Sequence, residues 1–564
     1  MAEKSEKNFT VLFFLVFLAA ALIRIVYFFY LKESIFFGHL VIDELTYDRW
    51  AMSILSPGGL LGSQVFWQAP FYAYFLALVY YLGGHELITI RLVQILLGLA
   101  NCIFIFHIAR AVFGRVSGII ALLLAAFYGV FIFYEGQVLN ITLGLFLNLS
   151  FLLILLEAYN RKKNLIYFLA GLCLGLSAIT RPTILIFLPF LLLWLARYAE
   201  PRSFRRIAAY FGSLLLGVVL LIGMTTARNY FLSGKLVPIS TYGGINFYIG
   251  NNQDYDLTVR IQPGVEFVHF ASASLRERSL EPRSPEASRF WYEKAFGYIK
   301  GHPRQYARLI LKKVYLFWNG FEIPRYLDYY LVEKFVPVLK WGVVRFWMIS
   351  LFSLLGIGIA LSGIWKKTIN RPERVSLLLL YVFSQFLVSV LYFITSPYRL
   401  SAVCVLIIFA AFFLERAAGL VKSRNYRMLG VLLGAAAIIG WVVNSNFYGN
   451  LGKNDALDNR ILCSVFAQEN DLPKAISYGE KAVSGAPYIP ESWYCLAEAY
   501  LKAGRLDQAE RACRQAISRG YRMSDIYLLL GDILKQKGLE AEAAAEYQRA
   551  QEIEKAASNI QQIF

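Results

Sequence analysis

The sequence predicts an all-α protein in two parts: a polytopic membrane region of about eleven transmembrane helices, then an α-solenoid. Three observations predict it. Of 564 residues, 58 % are hydrophobic, 16 % aromatic and 17 % charged, a balance of multi-pass membrane proteins rather than soluble domains. The apolar residues gather in blocks, most of them long enough to cross a bilayer. Beyond about residue 450 the composition turns soluble and a 34-residue period sets in.

The first block, 9–31, is too long for a signal-peptide core and no small-residue cleavage site follows it, so it reads as a signal anchor. Arg24, near its outer end, is expected to snorkel to the interface. The next block, 71–82, covers under about 20 Å at roughly 1.5 Å per residue, against a core of roughly 30 Å. Pro70 suits its first turn and Gly83-Gly84 its end, so it reads as an interfacial helix. The remaining spans fall near 87–109, 116–133, 138–156, 165–179, 183–195, 207–231, 341–364, 375–394, 401–414 and 428–443. With a cytoplasmic N-terminus, the basic loops at Arg110/Arg115, Arg161-Lys162-Lys163, Arg197/Arg205/Arg206, Lys366-Lys367 and Arg424/Arg427 all face inward, while the short outer turns carry only Arg181 and Arg399. Counting 71–82 as a span would reverse every later loop. The positive-inside rule therefore favours eleven spans and an outer C-terminus. The same loops account for the formal net charge of +18, so it is no sign of nucleic acid.

In the tail, Leu462, Leu496 and Leu530 recur at the 34-residue spacing, as do Ala475, Ala509 and Ala543, and Ala482, Ala516 and Ala550. Trp493 and Tyr527 share a phase; Gly504 and Gly538 mark turns within repeats. The pattern resembles the tetratricopeptide repeat, three repeats and a final helix, in which small alanines let paired helices approach. Such solenoids bind a partner, protein or glycan, on their concave face; a cap without ligand is the bland alternative. The organisation expected is a membrane domain over 1–445 with outer loops at about 32–86 and 232–340, a linker at 446–455, and the repeats at 456–564.

The topology gathers polar groups on the outer side: Asp43-Glu44 after the first span, Arg181 in Thr180-Arg181-Pro182, Arg228-Asn229 at the end of a span, Arg399 in Ser396-Pro397-Tyr398-Arg399-Leu400, and the run Gly243-Gly244-Ile245-Asn246-Phe247-Tyr248-Ile249-Gly250-Asn251-Asn252. A carboxylate can take a proton from an attacking hydroxyl or amine, and a guanidinium fork pairs with phosphate oxygens. Singly, Arg181 and Arg399 read equally as snorkelling side chains. Asp43-Glu44 also suit the N-terminus of the following helix, where Tyr47, Trp50, Ala51 and Ile54 lie on one face along the membrane. Residues 305–318 form a second amphipathic helix, with Arg308, Lys312 and Lys313 among its apolar positions, suited to guide an anionic lipid or to anchor the loop.

These residues, with Gln68-Ala69-Pro70-Phe71-Tyr72, Arg91-Leu92, Arg228-Asn229-Tyr230 and Phe317-Trp318-Asn319-Gly320-Phe321-Glu322-Ile323-Pro324, resemble over about residues 9–420 the polytopic glycosyltransferases of the GT-C class. The bacterial relatives of protein O-mannosyltransferases and of the aminoarabinose transferase are the branch they most resemble. The resemblance implies an inverting transfer: an acceptor attacks the anomeric carbon of a sugar on a polyprenyl phosphate, and the lipid phosphate leaves. It implies Asp43 as general base, with Glu44 orienting it or contacting sugar or acceptor. It implies Arg181 and Arg399, with Arg228 behind them, at the phosphate, and Asn251 and Asn252 lining the cavity. A lone carboxylate in a wet outer cavity is expected to be ionised at neutral pH, and a second carboxylate beside it to raise one of the two pKa values. Three departures stand out. Asn140 replaces an acidic residue after Tyr134-Glu135-Gly136, the turn Pro397-Tyr398-Arg399-Leu400-Ser401 lacks one arginine and a second proline, and the small, glycine-containing continuation after Asn252 is missing.

No GxxxxGK[ST] loop or GxGxxG fingerprint occurs, so no nucleotide is called for. The six cysteines form no CxxC and the five histidines are scattered; no cofactor follows, and a divalent metal is possible but not indicated. The leading function is a membrane glycosyltransferase at the outer face of the cytoplasmic membrane, partnered by a polyprenyl-phosphate sugar donor and membrane lipids. A lipid-carrier glycan ligase or polymerase is one alternative. A non-enzymatic scaffold presenting the repeats is another; a transporter would show polar groups in broken helices at the midplane.

Overall fold

The computed structural model describes residues 2–200, 203–261, 274–275, 278, 280–449 and 455–561. Part of the long outer loop, residues 450–454 of the expected linker, and the last three residues of the expected repeat domain therefore lie outside the described residues. Among the described residues every regular element is a helix, apart from one isolated bridge between Tyr128 and Val344. Eight helices are long and apolar enough to cross a bilayer. They are Ala2–Lys32, Leu87–Phe113, Ile141–Arg161, Phe204–Ser233, Phe346–Trp365, Pro372–Leu391, Ser396–Lys422 and Tyr426–Asn444. The three other expected spans are shorter. Arg115–Ala126 breaks at Phe127 and resumes as Gly129–Glu135, Asn164–Ala178 is a single helix, and Pro182–Tyr198 opens as a 3₁₀ turn, with proline setting its first dihedral.

Hydrogen bonds at the helix ends sort these elements into two sides. On one side Arg374 donates to Ala111 O at 2.8 Å, Trp194 to Glu373 O at 2.7 Å, and Tyr210 to Lys162 O at 3.3 Å. On the other, Arg181 donates to Pro397 O at 3.0 Å, Gly320 N to Val443 O at 2.7 Å, and Asn251 to Leu391 O at 2.7 Å. The alternation is the one the basic loops predict. The Phe71–Gly83 helix has both ends on the second side: Phe71 N donates to Ile179 O at 3.0 Å, while Tyr80 and, just beyond the helix, His85 both reach Asp48, at 2.6 and 2.8 Å. It lies against the bundle without crossing it.

Arg24 does not snorkel. It is fully buried and forks onto Glu135, with Nε and Nη2 each 2.8 Å from a carboxylate oxygen, while Nη1 reaches Ala126 O at 3.3 Å. In a bilayer an arginine with a partner inside the bundle is better placed there than one dragged to the interface. Gly98 makes the pair possible: a Cβ at that position would sit 2.1 Å from Glu135 Cδ.

The tail forms three antiparallel helix pairs, beginning Asp455–Gln468 with Leu472–Gly485 and ending Ser524–Gln536 with Glu540–Gln561. Ala475, Ala509 and Ala543, with Ala482, Ala516 and Ala550, are all buried at the helix crossings, where a larger side chain would force the helices apart. The first pair rests on the loops of the membrane region. His39 Nε2 meets Glu469 Oε1 at 2.7 Å. Burial pushes the Asp458 carboxyl up to about 7, with Asp328 of the long loop adding to the rise and Lys334 opposing it.

Removing one partner of a buried ion pair leaves an uncompensated charge. Glu135→Ala should therefore destabilise the protein by about 3–5 kcal/mol, read as a large fall in Tm in detergent, whereas Arg24→Met with Glu135→Leu should recover most of it. A single variant within about 1 kcal/mol of wild type would show that the pair is not a structural tie.

Candidate functional site

The loop 33–42 ends in a β-branched residue at positive φ, Ile42 at φ 57° and ψ −112°, a conformation rarely tolerated outside glycine. The turn it makes starts the Asp43–Leu55 helix with both carboxylates buried. Backbone pairing of Thr241 N with Phe66 O and of Tyr242 N with Trp67 O, each 3.1 Å, sets Gln68 beside Tyr242. Trp67 and Tyr242 pack with ring centroids 4.9 Å apart.

Asp43 is the centre of the resulting cluster. Tyr326 and Gln68 aim hydrogen-bond donors at it and Arg325 lies close by. Tyr47, Tyr242 and Tyr398 feel its charge, and Arg181 reaches Tyr47 and Tyr398. Burial raises the Asp43 carboxyl above its ordinary range; Tyr326, Arg325 and Gln68 pull it part of the way back. The Oε1 of Gln68 is buried and has no hydrogen-bond partner. Arg325, itself buried, donates to Val259 O and Ile261 O, each at 3.1 Å, which fixes the long loop over the acid.

The other expected site residues are placed as follows. Glu44 is turned to the backbone, Oε1 accepting from Val138 N at 2.8 Å and Oε2 from Val41 N at 3.2 Å; burial raises its carboxyl and Arg91 opposes that rise. Arg181 joins the Asp43 cluster. It uses one N–H on Pro397 O and lies over the Tyr398 ring at 5.2 Å; among the described residues the rest of its fork makes no hydrogen bond. Arg228 holds a separate turn, donating to Gln64 O and Leu61 O over the ring of Phe66. Arg399 is buried and paired with Glu322 at 2.8 Å, with Asn319 O and Phe321 O each at 2.7 Å. Instead of lining the Asp43 cavity through their amides, Asn251 and Asn252 tie down the helix Gly243–Gly250. Asn251 reaches Leu391 O and accepts from Lys313 at 3.1 Å; Asn252 donates to Tyr248 O at 2.7 Å and Thr258 Oγ1 at 2.9 Å. The glycines of that run serve close approach rather than turning. A Cβ at Gly244 would lie 2.0 Å from Ser288 O, and one at Gly250 would lie 1.8 Å from Tyr392 O.

Asn140, where an acid was expected, donates to Tyr47 OH at 3.0 Å and Thr180 O at 3.3 Å and so braces the cluster. Among the described residues no group of three or more His, Cys, Asp and Glu side chains is placed to hold a metal. Sequence reasoning missed Arg325 and Tyr326, which lie one and two residues past the Phe317–Pro324 motif, and it gave Gln68, Tyr242 and Tyr398 no role.

The fold thus places the buried Asp43 carboxyl, with Glu44 next to it, among aromatic and cationic groups at the loop end of a bundle of apolar helices. Residues 67–226 match the family described as dolichyl-phosphate-mannose-protein mannosyltransferase, and residues 494–559 match the tetratricopeptide repeat. Of the candidate residues, Gln68 and Arg181 fall inside the first match; Asp43, Arg228, Arg325 and Arg399 fall outside it. Among solved structures the chain is similar to the archaeal oligosaccharyltransferase AglB from Archaeoglobus fulgidus in complex with an inhibitory peptide and a dolichol-phosphate. Identity is 16 % over 81 % of this chain and 58 % of that one, with a TM-score of 0.42. It is also similar to ArnT from Cupriavidus metallidurans bound to undecaprenyl phosphate, at 15 % identity over 95 % of this chain and 76 % of that one, TM-score 0.43. MamA from Desulfovibrio magneticus RS-1 is similar over 36 % of this chain and 96 % of its own, at 13 % identity and a TM-score of 0.18. The chain thus spans less than three-fifths of the length of the oligosaccharyltransferase. No curated protein matches it by sequence.

Lys313 braces the end of the Gly243–Gly250 segment through Asn251, fully buried and donating to Tyr392 O at 2.7 Å; burial lowers it to about 7. Between that value and its unfolded value near 10.4, the unfolded chain holds the extra proton, so this group makes stability rise with pH. Lys313→Met should flatten the rise of Tm between pH 7 and 10. An unchanged slope would show that Lys313 titrates normally.

Proposed function

We propose that the protein moves a sugar from a polyprenyl-phosphate donor to an acceptor, with inversion, at the outer face of the cytoplasmic membrane. The observation that carries this reading is the buried Asp43 carboxylate, ringed by tyrosines and by Arg181 and Arg325, in a chain with a glycosyltransferase-family segment. Asp43 takes the proton of the acceptor's hydroxyl or amine as that atom bonds to the anomeric carbon. On the opposite face the bond from the anomeric carbon to the phosphate oxygen breaks, and the lipid phosphate departs with its electron pair.

The rest of the Arg181 fork receives the departing phosphate. Arg399 and Arg228 act behind it by holding loops in place, and Glu44 fixes the start of the helix that carries Asp43. Because the base must be ionised and burial opposes that, a donor aimed at the carboxylate keeps it usable near neutral pH. We assign residues 1–445 to transfer and 456–564 to recruiting the acceptor or an assembly partner, with 446–455 as the link.

The test follows radiolabelled sugar from the polyprenyl-phosphate pool into acceptor, in membranes holding wild type or Asp43→Asn at matched levels. Loss of about 10²–10⁴-fold in rate, with donor accumulating, is expected for removal of a general base. Full transfer by Asp43→Asn would move the assignment to Glu44, and a product carrying a whole glycan would favour a ligase. Tyr326→Phe removes a donor that lowers the Asp43 pKa, so the acid limb of the rate profile should move to higher pH; an unmoved limb would separate Tyr326 from the base.

A further inference from the structure

A second cleft, of about 340 Å³, opens between the segment 252–256 and the two long-loop helices Pro285–Gly301 and Pro303–Trp318, and shares no residue with the Asp43 cluster. Its size is at the small end of ligand pockets, enough for a headgroup and not for a whole lipid. Gln253, Tyr298, His302, Gln305 and Arg308 face it, and among the described residues none of these side chains makes a hydrogen bond or an ion pair. Tyr298 and His302 stack on one another, ring centroids 5.3 Å apart, and form one wall. Lys312 also lines the cleft, but its charge is answered by Asp256, at 2.6 and 2.8 Å from the two carboxylate oxygens. Asn252 contributes only surface, its amide being committed inside its own turn. Among the described residues Arg308 is then the one lining cation without an ion-pair partner, set among neutral hydrogen-bonding groups, with the Asp254 carboxylate near Tyr298 on the opposite wall.

Its position is at the membrane boundary. The far end of the Pro303–Trp318 helix is bonded to the ends of two spans, Lys313 to Tyr392 O and Tyr315 to Ser445 O. Phe317 packs on Phe386 within a span, with ring centroids 5.0 Å apart. Leu311, 65 % exposed, and Phe296, 49 % exposed, leave apolar surface beside the cleft, as an interfacial helix presents to acyl chains.

We propose that this cleft holds the headgroup of an anionic phospholipid. A phosphodiester carries a single negative charge, which matches the Arg308 guanidinium. A hydroxylated headgroup such as glycerol gives the two glutamine amides and the Tyr298 hydroxyl their partners. A zwitterionic headgroup would bring a second cation beside Arg308, and a phosphomonoester would bring more negative charge than the cleft neutralises. The site goes beyond the transfer reaction and does not depend on it.

The test uses the full-length protein, purified in detergent, with lipid retention counted by native mass spectrometry against added phosphatidylglycerol, phosphatidylcholine or a polyprenyl monophosphate. Wild type should retain phosphatidylglycerol in preference to phosphatidylcholine. Arg308→Glu should lose about tenfold in retention, as expected for reversing one interfacial charge. Arg304→Glu, one turn away and outside the lining, should lose little. Gln305→Ala, which leaves net charge unchanged, should give a smaller loss specific to phosphatidylglycerol, and it serves if Arg308→Glu fails to fold. Equal losses for Arg304→Glu and Arg308→Glu would mean diffuse attraction and overturn the site. Equal retention of phosphatidylcholine would also overturn it, and preference for the polyprenyl monophosphate would overturn the phosphodiester assignment.

Discussion

Arginine side chains hold the loops of this protein by their backbone carbonyls. Arg91 donates to Gly136 O and Phe37 O, Arg228 to Leu61 O and Gln64 O, Arg325 to Val259 O and Ile261 O, and Arg399 to Asn319 O and Phe321 O. Irregular backbone pressed against a membrane bundle cannot reach bulk water, and each unpaired carbonyl there is costly. A guanidinium offers five donors on one planar fork and reaches two carbonyls at once. These loops can therefore be folded and dry, and a dry surround is what lets a carboxyl such as Asp43 be set apart from solvent.

That constraint explains what was and was not legible in the sequence. The helices were, because hydropathy and basic-loop asymmetry are local properties of the chain, and Phe71–Gly83 showed its failure to span through its short length together with that asymmetry. The repeats were, because an alanine that must sit at a helix crossing recurs in every copy. The duties of individual arginines were not. Arg181, Arg228 and Arg399 have the same chemistry at the same membrane face, and only three-dimensional neighbours show that one makes a single hydrogen bond among the described residues while another is locked to Glu322. Arg24 was misjudged for the same reason, since its partner Glu135 is more than a hundred residues away. Arg325 and Tyr326 come to Asp43 from nearly three hundred residues along the chain, a distance over which no periodicity speaks.

The two halves of the protein meet close to the acid. The His39–Glu469 contact joins the first repeat to the loop that ends, four residues later, in Asp43. The repeat domain therefore rests on the segment that positions the carboxylate.

Ile42 adds a last point. A β-branched side chain held at φ 57° costs of order 1–3 kcal/mol of conformational energy, and the residue lies immediately before Asp43. Glycine would occupy the same backbone region with less strain. Selection for thermal robustness alone would thus favour replacing Ile42, and the loop that presents Asp43 would then be free to settle elsewhere. Stability and aim are opposed at this position, and a stabilised variant of the protein is best built with residue 42 left unchanged.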